Sequence, residues 1–113
     1  MTRHDDTTRL NHMLDYSREA VEMAAGKQRE HLDTDRQFSL AITRLVEIIG
    51  EAAARVTAEE QQRHPSIPWA EVVGLRNRLV HGYDAVDHDI LWEIIRQDLP
   101  NLINALQDLA ANS

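Results

Sequence analysis

A long apolar stripe with helical spacing constrains the fold of this chain more than any other feature. Between Thr34 and Val56, apolar side chains recur three or four residues apart, as on one face of an α-helix. Thr34 and Asp35 each suit the N-cap of this helix. Gly50 lies inside the stripe, and a mid-helix glycine costs about 1 kcal/mol relative to alanine. We therefore expect another backbone to approach the helix closely at Gly50.

Three further segments show the same periodicity, and one short helix is added by a local signal. Gly26 is expected to end the first segment, Gly82 the second, and Pro100 to kink the third. A capping box from Thr57 to Glu60, in which Glu60 reaches back to the cap, predicts the short helix. The three segments cover about residues 8–27, 68–82 and 87–109.

The absence of strand-like alternation makes the predicted fold all-α. Hydrophobic residues make up 42% of the chain but aromatic residues only 4%, so the core must be aliphatic. Brief connections between the helices predict an antiparallel bundle of four main helices plus the short one. At 113 residues, the chain suits a single domain spanning 1–113.

Composition limits the cellular compartments and the binding partners that suit this chain. No apolar run approaches the roughly 20 residues that span a bilayer, and the polar N-terminus resembles no secretory signal. The chain has no cysteine, which fits a reducing cytoplasm and excludes thiolate metal sites. The net charge of −7 argues against a general nucleic-acid coat, although it leaves room for a local site built from arginines.

The segment from Arg76 to Tyr83 carries the chemistry. It places two guanidiniums, an amide, an imidazole and a phenol in eight residues. His81 can act as a general base or acid near neutral pH, and arginines can stabilise the charge on a phosphorane-like transition state. An RNA 2′-hydroxyl could then attack its neighbouring phosphate without a metal. The alternative interpretation is structural, with His81 capping a helix and Arg76 and Arg78 on a solvated face.

Helix geometry raises a question about how Arg76 and His81 would meet. Five residues apart, they differ by about 140° around an ideal helix. The helix could loosen near Gly82, the long Arg76 side chain could curl around, or two copies of the chain could share one site. The third arrangement is favoured, with help from the second, and it predicts a homodimer.

Several short segments together resemble the HepT-like branch of the HEPN superfamily. They are Ile48-Ile49-Gly50-Glu51-Ala52-Ala53, Ile67-Pro68-Trp69, Gly74 to Tyr83, Val86-Asp87 and Leu91-Trp92. The resemblance implies a dimeric, HEPN-like helical bundle that acts as a metal-independent endoribonuclease toxin on RNA, either tRNA or mRNA. It also implies a bacterial two-gene toxin–antitoxin module of type VII.

The resemblance assigns roles to individual residues. The family motif Arg-x4-His-x-Tyr maps onto Arg76, His81 and Tyr83, and the polar residue after the motif arginine maps onto Asn77. The antitoxin of such modules is a minimal nucleotidyltransferase that silences the toxin by transferring AMP to the motif tyrosine, here Tyr83. No cofactor is implied. The competing interpretation is a non-catalytic helical subunit that binds a nucleotide or the nucleotidyltransferase.

Two further groups of residues bear on this site. Glu51 is expected to pair with Arg76 or Arg78 and hold it in place, with an ordinary exposed carboxylate as the alternative. Four residues near the start of the last helix could form a metal site, although capping by Asp87 with acids in the first turn explains them more simply. They are Asp84, Asp87, His88 and Asp89.

Overall fold

The fold is all-α, as the periodicity predicts. The computed structural model describes residues 4–80 and 85–112, and within them the only β-type pairing outside the helices is an isolated antiparallel bridge between Val80 and Val86. The helices are α1 (His4–Ala24), α2 (His31–Thr34), α3 (Arg36–Arg55), α4 (Ala58–Arg63), α5 (Trp69–Val73), α6 (Leu75–Leu79), α7 (His88–Glu93), a π-helical segment (Ile94–Asp98) and α8 (Leu99–Asn112).

The core lies where α3 packs against α1, and α1 against α8. It is aliphatic, in agreement with the composition. Its fully buried side chains come from every long element; they include Met13, Ile42, Val46, Ile49, Leu79, Leu91, Ile94 and Leu99. No helix within the described ranges is long and apolar enough to cross a membrane.

Gly50 is the point at which α5 and α6 cross α3. A Cβ atom at Gly50 would lie 3.2 Å from the carbonyl oxygen of Val72 and 3.8 Å from the Cβ atom of Leu75. The expected close approach of another backbone is confirmed. Because α6 follows directly from this crossing, Arg76 on α6 comes within reach of Glu47 on α3.

Two of the predicted helix ends are confirmed by their local geometry. Asp35 is the N-cap of α3, and its carboxylate accepts a hydrogen bond from the amide of Phe38 at 3.1 Å. Gly26, two residues after the end of α1, has a φ of +79°, a left-handed conformation that favours glycine. The chain can therefore reverse into α2 and α3 without strain at that position.

The predicted cap at Thr57 forms, but the Glu60 carboxylate contacts Arg63 and His64, and the Thr57 amide that Glu60 was expected to reach donates to Asp6 instead. The Thr57 hydroxyl accepts a hydrogen bond from the amide of Glu60 at 3.2 Å. The Thr57 amide and hydroxyl donate to the two carboxylate oxygens of Asp6 at 2.9 and 2.7 Å. Asp6 is buried, so this carboxylate joins the first turn of α1 to the start of α4 inside the protein.

The prediction of one helix over about residues 68–82 is wrong. The helix divides at Gly74 into α5 and α6, and α6 ends at Leu79, before the motif histidine. Val80 is extended, with φ −97° and ψ 124°, and pairs with Val86. The carbonyl of Leu79 accepts from the amide of Asp87 at 2.8 Å, so a contact with the returning chain takes the place of the next helical turn.

A π-helical segment, Ile94–Asp98, lies just before Pro100, where the sequence predicts a kink. The amide of Leu99 donates to the carbonyl of Ile94, five residues earlier, rather than to the carbonyl four residues earlier. Pro100 has no amide hydrogen to continue the ordinary ladder. The wider turn keeps Ile94 and Ile95 in the core while turning Asp98 toward α6.

Candidate active site

Arg76 and Arg78 lie on α6 and are held by carboxylates from two different elements. The Arg76 Nε atom donates to Glu47 Oε2 of α3 at 3.2 Å. The Arg78 Nη1 atom donates to Asp98 Oδ2 of the π-helical segment at 2.6 Å. The Arg76 side chain is 61% exposed, whereas that of Arg78 is 36% exposed. Arg76 is therefore the motif arginine that solvent, and an incoming anion, can reach.

The contact with Glu47 leaves most of the Arg76 guanidinium available. A guanidinium carries five N–H donors in a planar fork, and Glu47 engages it through Nε. The terminal nitrogens can then bind a phosphate while the Nε contact fixes the plane of the group. This arrangement suits an arginine that stabilises developing negative charge, because its orientation is set before the substrate arrives.

The partner expected for Glu51 is wrong. Glu51 pairs with Arg44 on the same helix at 3.2 Å, and the carboxylate that reaches Arg76 is Glu47, one turn earlier. Sequence reasoning missed Glu47, although Gly50 carries a usable signal. Glu47 lies three residues before Gly50, so the two are neighbours on the helix surface, and Gly50 marks the crossing of α6.

The other motif residues divide between the described chain and the part outside it. Asn77 is exposed on α6 beside Arg76. His81, Gly82, Tyr83 and Asp84 lie outside the described residues. Val80 and Val86, on either side of residues 81–84, are paired through the antiparallel bridge.

The helical argument for a site shared between two copies no longer applies. It required one helix to carry both Arg76 and His81, but α6 ends at Leu79 and Val80 is extended. The 140° separation of an ideal helix therefore does not describe this pair. The described chain departs from helix at Val80, before the loosening that was considered near Gly82, and the other two arrangements stay predictions. The homodimer stays a prediction that rests on the family resemblance.

Side chains at the start of α7, shortly after the motif, contact side chains in α2 and just before it. Asp87 caps α7 by accepting from the amide of Ile90 at 3.0 Å, which confirms the capping role. His88 Nδ1 lies 2.8 Å from Asp33 Oδ1, and Arg29 bridges Asp33 and Asp89 at 2.7 and 2.6 Å.

These contacts of His88 and Arg29 favour the charged form of Asp33. The pKa of Asp33 is lowered from its ordinary value, first by the hydrogen bond from His88 and then by that from Arg29. Asp89, one of the residues weighed as a metal ligand, is engaged by Arg29. In the part of the chain that the structure describes, no group of three or more His, Asp or Glu side chains is placed to hold a metal ion.

The described chain is all-α, and it presents an exposed arginine, in contact with Glu47, five residues before His81 in the sequence. The sequence model of the family described as Ribonuclease HepT-like matches residues 13–109. This chain belongs to that HepT-like family of the HEPN superfamily.

Several known proteins resemble the chain. "Putative RNase MJ1380" of Methanocaldococcus jannaschii is 30% identical over 102 residues, which cover 90% of this chain and 94% of that protein. "Putative RNase TTE0752" of Caldanaerobacter subterraneus subsp. tengcongensis is 32% identical over 100 residues, 88% of this chain and 89% of that protein. "Probable ribonuclease HepT" of Thermococcus cleftensis is 36% identical over 75 residues, 66% of this chain and 68% of that protein. No solved structure gives a significant match.

Proposed function

We propose that this protein is a metal-independent endoribonuclease in which Arg76 and His81 are the catalytic residues. The observation that carries the proposal is that the Arg76 side chain is exposed and contacts Glu47, four residues before the bridge at Val80. Membership of the HepT-like family and the ribonuclease names of the relatives support RNA as the substrate. Asn77 and Arg78 are proposed as supporting residues, and residues 1–113 as one domain.

The proposed reaction is an internal transfer at phosphorus. His81 removes the proton from the 2′-hydroxyl, whose oxygen attacks the adjacent phosphorus. Arg76 stabilises the negative charge that builds up on the phosphoryl oxygens. The bond from phosphorus to the 5′-oxygen breaks, and that oxygen takes a proton from a second acid. The products are a 2′,3′-cyclic phosphate and a free 5′-hydroxyl.

A homodimer would supply the second acid. Two copies of the motif facing one cleft would place one His81 as base and the other, protonated, as acid. We propose this arrangement on the family resemblance. Enzyme samples that mix wild-type and His81→Ala subunits distinguish it from two independent sites, because a shared site loses activity in every mixed dimer.

Removal of divalent metal is expected to leave RNA cleavage unchanged. The groups invoked, an imidazole and guanidiniums, replace the base and the Lewis acid that a metal would provide. The measurement is the rate of cleavage of a purified RNA with and without excess EDTA, together with the chemistry of the new ends. Loss of activity in EDTA that returns with added metal would contradict the mechanism. No cleavage in any buffer, with no growth arrest on expression in bacteria, would favour the non-catalytic subunit.

We further propose that the protein is the toxin of a type VII toxin–antitoxin pair and that its antitoxin is a nucleotidyltransferase. The hydroxyl oxygen of Tyr83 would attack the α-phosphate of ATP, so AMP is attached and pyrophosphate leaves. An adenylyl group at this position would place negative charge and a base two residues from His81. RNA would be excluded from the site by repulsion and by bulk.

Incubation with the partner and ATP is expected to raise the intact mass of the protein by one adenylyl group or more, and to abolish cleavage. Tyr83→Phe is the matched control, because it removes only the acceptor oxygen. That variant should keep its mass and its activity under the same conditions. A mass increase in Tyr83→Phe would show that the modified residue is another one, and an unchanged mass in the wild type would reject the modification.

A further inference from the structure

A groove between α1 and α3 carries cations that the proposed chemistry does not use. Its cavity volume is about 150 Å³. Two arginines and a histidine line it, with one carboxylate and two small apolar surfaces between them. We call it the α1–α3 groove, lined by Arg9, His12, Ile48, Glu51, Ala52 and Arg55.

The two arginines of the groove lie beside one cavity without a bound carboxylate; Arg18, Arg36 and Arg96 also form no ion pair among the described residues, but none of them lines this groove. Within residues 4–80 and 85–112, neither Arg9 nor Arg55 forms an ion pair, whereas Arg29, Arg44 and Arg63 each contact a carboxylate within 3.2 Å. The carboxylate that lines the groove, Glu51, is engaged by Arg44. In a chain of net charge −7, two guanidiniums beside one groove with their donors unclaimed form a local site for an anion.

An aromatic surface adjoins these cations. The rings of His12 and Tyr16 lie one turn apart on α1, with centroids 5.7 Å apart and an interplanar angle of 48°. Tyr16 is partly buried against the core, which holds its ring in place. Cations that follow a phosphate backbone, next to rings on which bases can stack, are the combination that binds single-stranded nucleic acid.

The groove continues the surface on which the motif arginine lies. Glu47, which holds Arg76, is four residues from Glu51 and eight from Arg55 along α3. Residues four apart are neighbours on a helix surface, and eight residues correspond to a rise of about 12 Å. A chain of nucleotides bound at Arg76 can therefore extend along α3 into the groove.

We infer that the α1–α3 groove binds the phosphodiester backbone of single-stranded RNA beside the scissile phosphate. Arg9 and Arg55 contact phosphates, and the His12–Tyr16 pair stacks on a base. The inference rests on the proposed function for the identity of the ligand. It accounts for substrate binding by an acidic protein, because the attraction comes from this groove and from Arg76, and the remaining surface repels RNA.

The test measures binding without cleavage. The probe is a fluorescent single-stranded RNA with 2′-O-methyl groups throughout, titrated by anisotropy at several salt concentrations. Arg9→Gln and Arg55→Gln should each weaken binding several-fold and reduce the salt slope by about 0.7, the value for one phosphate contact with a single strand. Arg9→Lys, which keeps the charge, should retain most of the slope.

Arg18→Gln is the matched control. Arg18 is an exposed arginine on α1, nine residues from Arg9, which places it about 180° away on an ideal helix. It removes the same charge from the same helix and should leave the slope unchanged. If all three Gln variants have the same salt slope, the proposal that the groove binds RNA is wrong, because the net charge alone would then account for binding. Thermal unfolding of each variant verifies that its fold is intact.

The outcomes separate this inference from the proposed function. If the wild type cleaves unmodified RNA but Arg9→Gln and Arg55→Gln bind the probe normally, the groove does not bind RNA, and the proposed ribonuclease activity is unaffected by that result. If the salt slope falls in Arg9→Gln and Arg55→Gln while the wild type cleaves no RNA, the proposed ribonuclease activity is wrong, but RNA binding by the groove is supported. If the variants bind RNA normally but no longer bind the nucleotidyltransferase, the groove is a protein interface and the inference fails.

Discussion

Arg76→Ala is expected to lower kcat for RNA cleavage by about 10²–10³-fold, the usual effect of removing one preorganised group from the charge that develops in a transition state. The effect should fall on kcat more than on KM, because the charge on the phosphorane forms after the substrate binds. Stability should barely change. The ion pair of Arg76 with Glu47 is 61% exposed on the arginine side, and exposed pairs contribute about 0–1 kcal/mol.

Arg44 provides an unusually close control for Arg76. Its guanidinium also meets a carboxylate of α3 at 3.2 Å, and its side chain is 58% exposed, compared with 61% for Arg76. Arg44→Ala removes the same charge and the same kind of contact but lies outside the motif. Its kcat should stay within about threefold of wild type, since surface substitutions change energies by about 0.5 kcal/mol. Comparable losses in kcat for both variants would contradict a specific role for Arg76.

Glu47→Gln tests the orientation of Arg76 separately from its presence. The amide keeps the size of the side chain and an acceptor oxygen but loses the charge that fixes the guanidinium. We expect kcat to fall, but by less than in Arg76→Ala. If Glu47→Gln and Arg76→Ala together reduce kcat no more than Arg76→Ala alone, the two residues act through one contact. Additive losses would show that Glu47 acts elsewhere.

The sequence is sufficient for those parts of the fold that depend on local chemistry. The apolar period, the Asp35 cap and the close approach at Gly50 each follow from residue type and spacing, and the structure has all three. The end of α6 does not follow from them. Helical period continues through Val80, but the chain returns at Val86 and Asp87 and takes up the groups that would have continued the helix. Such a contact depends on tertiary arrangement, which periodicity does not encode.

The error at Glu51 has a related origin. Two carboxylates lie one turn apart on the exposed side of α3, and either could reach an arginine on a neighbouring helix. Which one does so depends on the side of α3 that faces α6. Gly50 marks that side in the sequence: on an ideal helix Glu47 lies about 60° around the axis from Gly50, whereas Glu51 lies about 100° away. The motif is assigned through the resemblance of its flanking segments to the HepT-like family, and the roles of its residues stay a proposal.

Asp6→Ala is expected to lower the free energy of unfolding by about 2–4 kcal/mol, the range for removing a buried charged partner from hydrogen bonds. Asp6 is 3% exposed, and its two oxygens accept from the amide and the hydroxyl of Thr57 at 2.9 and 2.7 Å. Alanine would leave both donors without that acceptor inside the protein. The measurement is urea unfolding followed by circular dichroism, with the slope verified to be unchanged.

Asp5→Ala is the control that isolates burial. Asp5 carries the same charge one residue earlier in the same helical turn, but it is exposed, so its removal should change stability by no more than about 0.5 kcal/mol. Asp6→Asn should fall between the two, because its amide oxygen can still accept from Thr57. Equal stabilities of Asp5→Ala and Asp6→Ala would show that the junction of α1 and α4 is held by apolar packing alone. A large loss specific to Asp6 would show that one carboxylate fixes the start of α1, and with it the position of Arg9 and His12 beside α3.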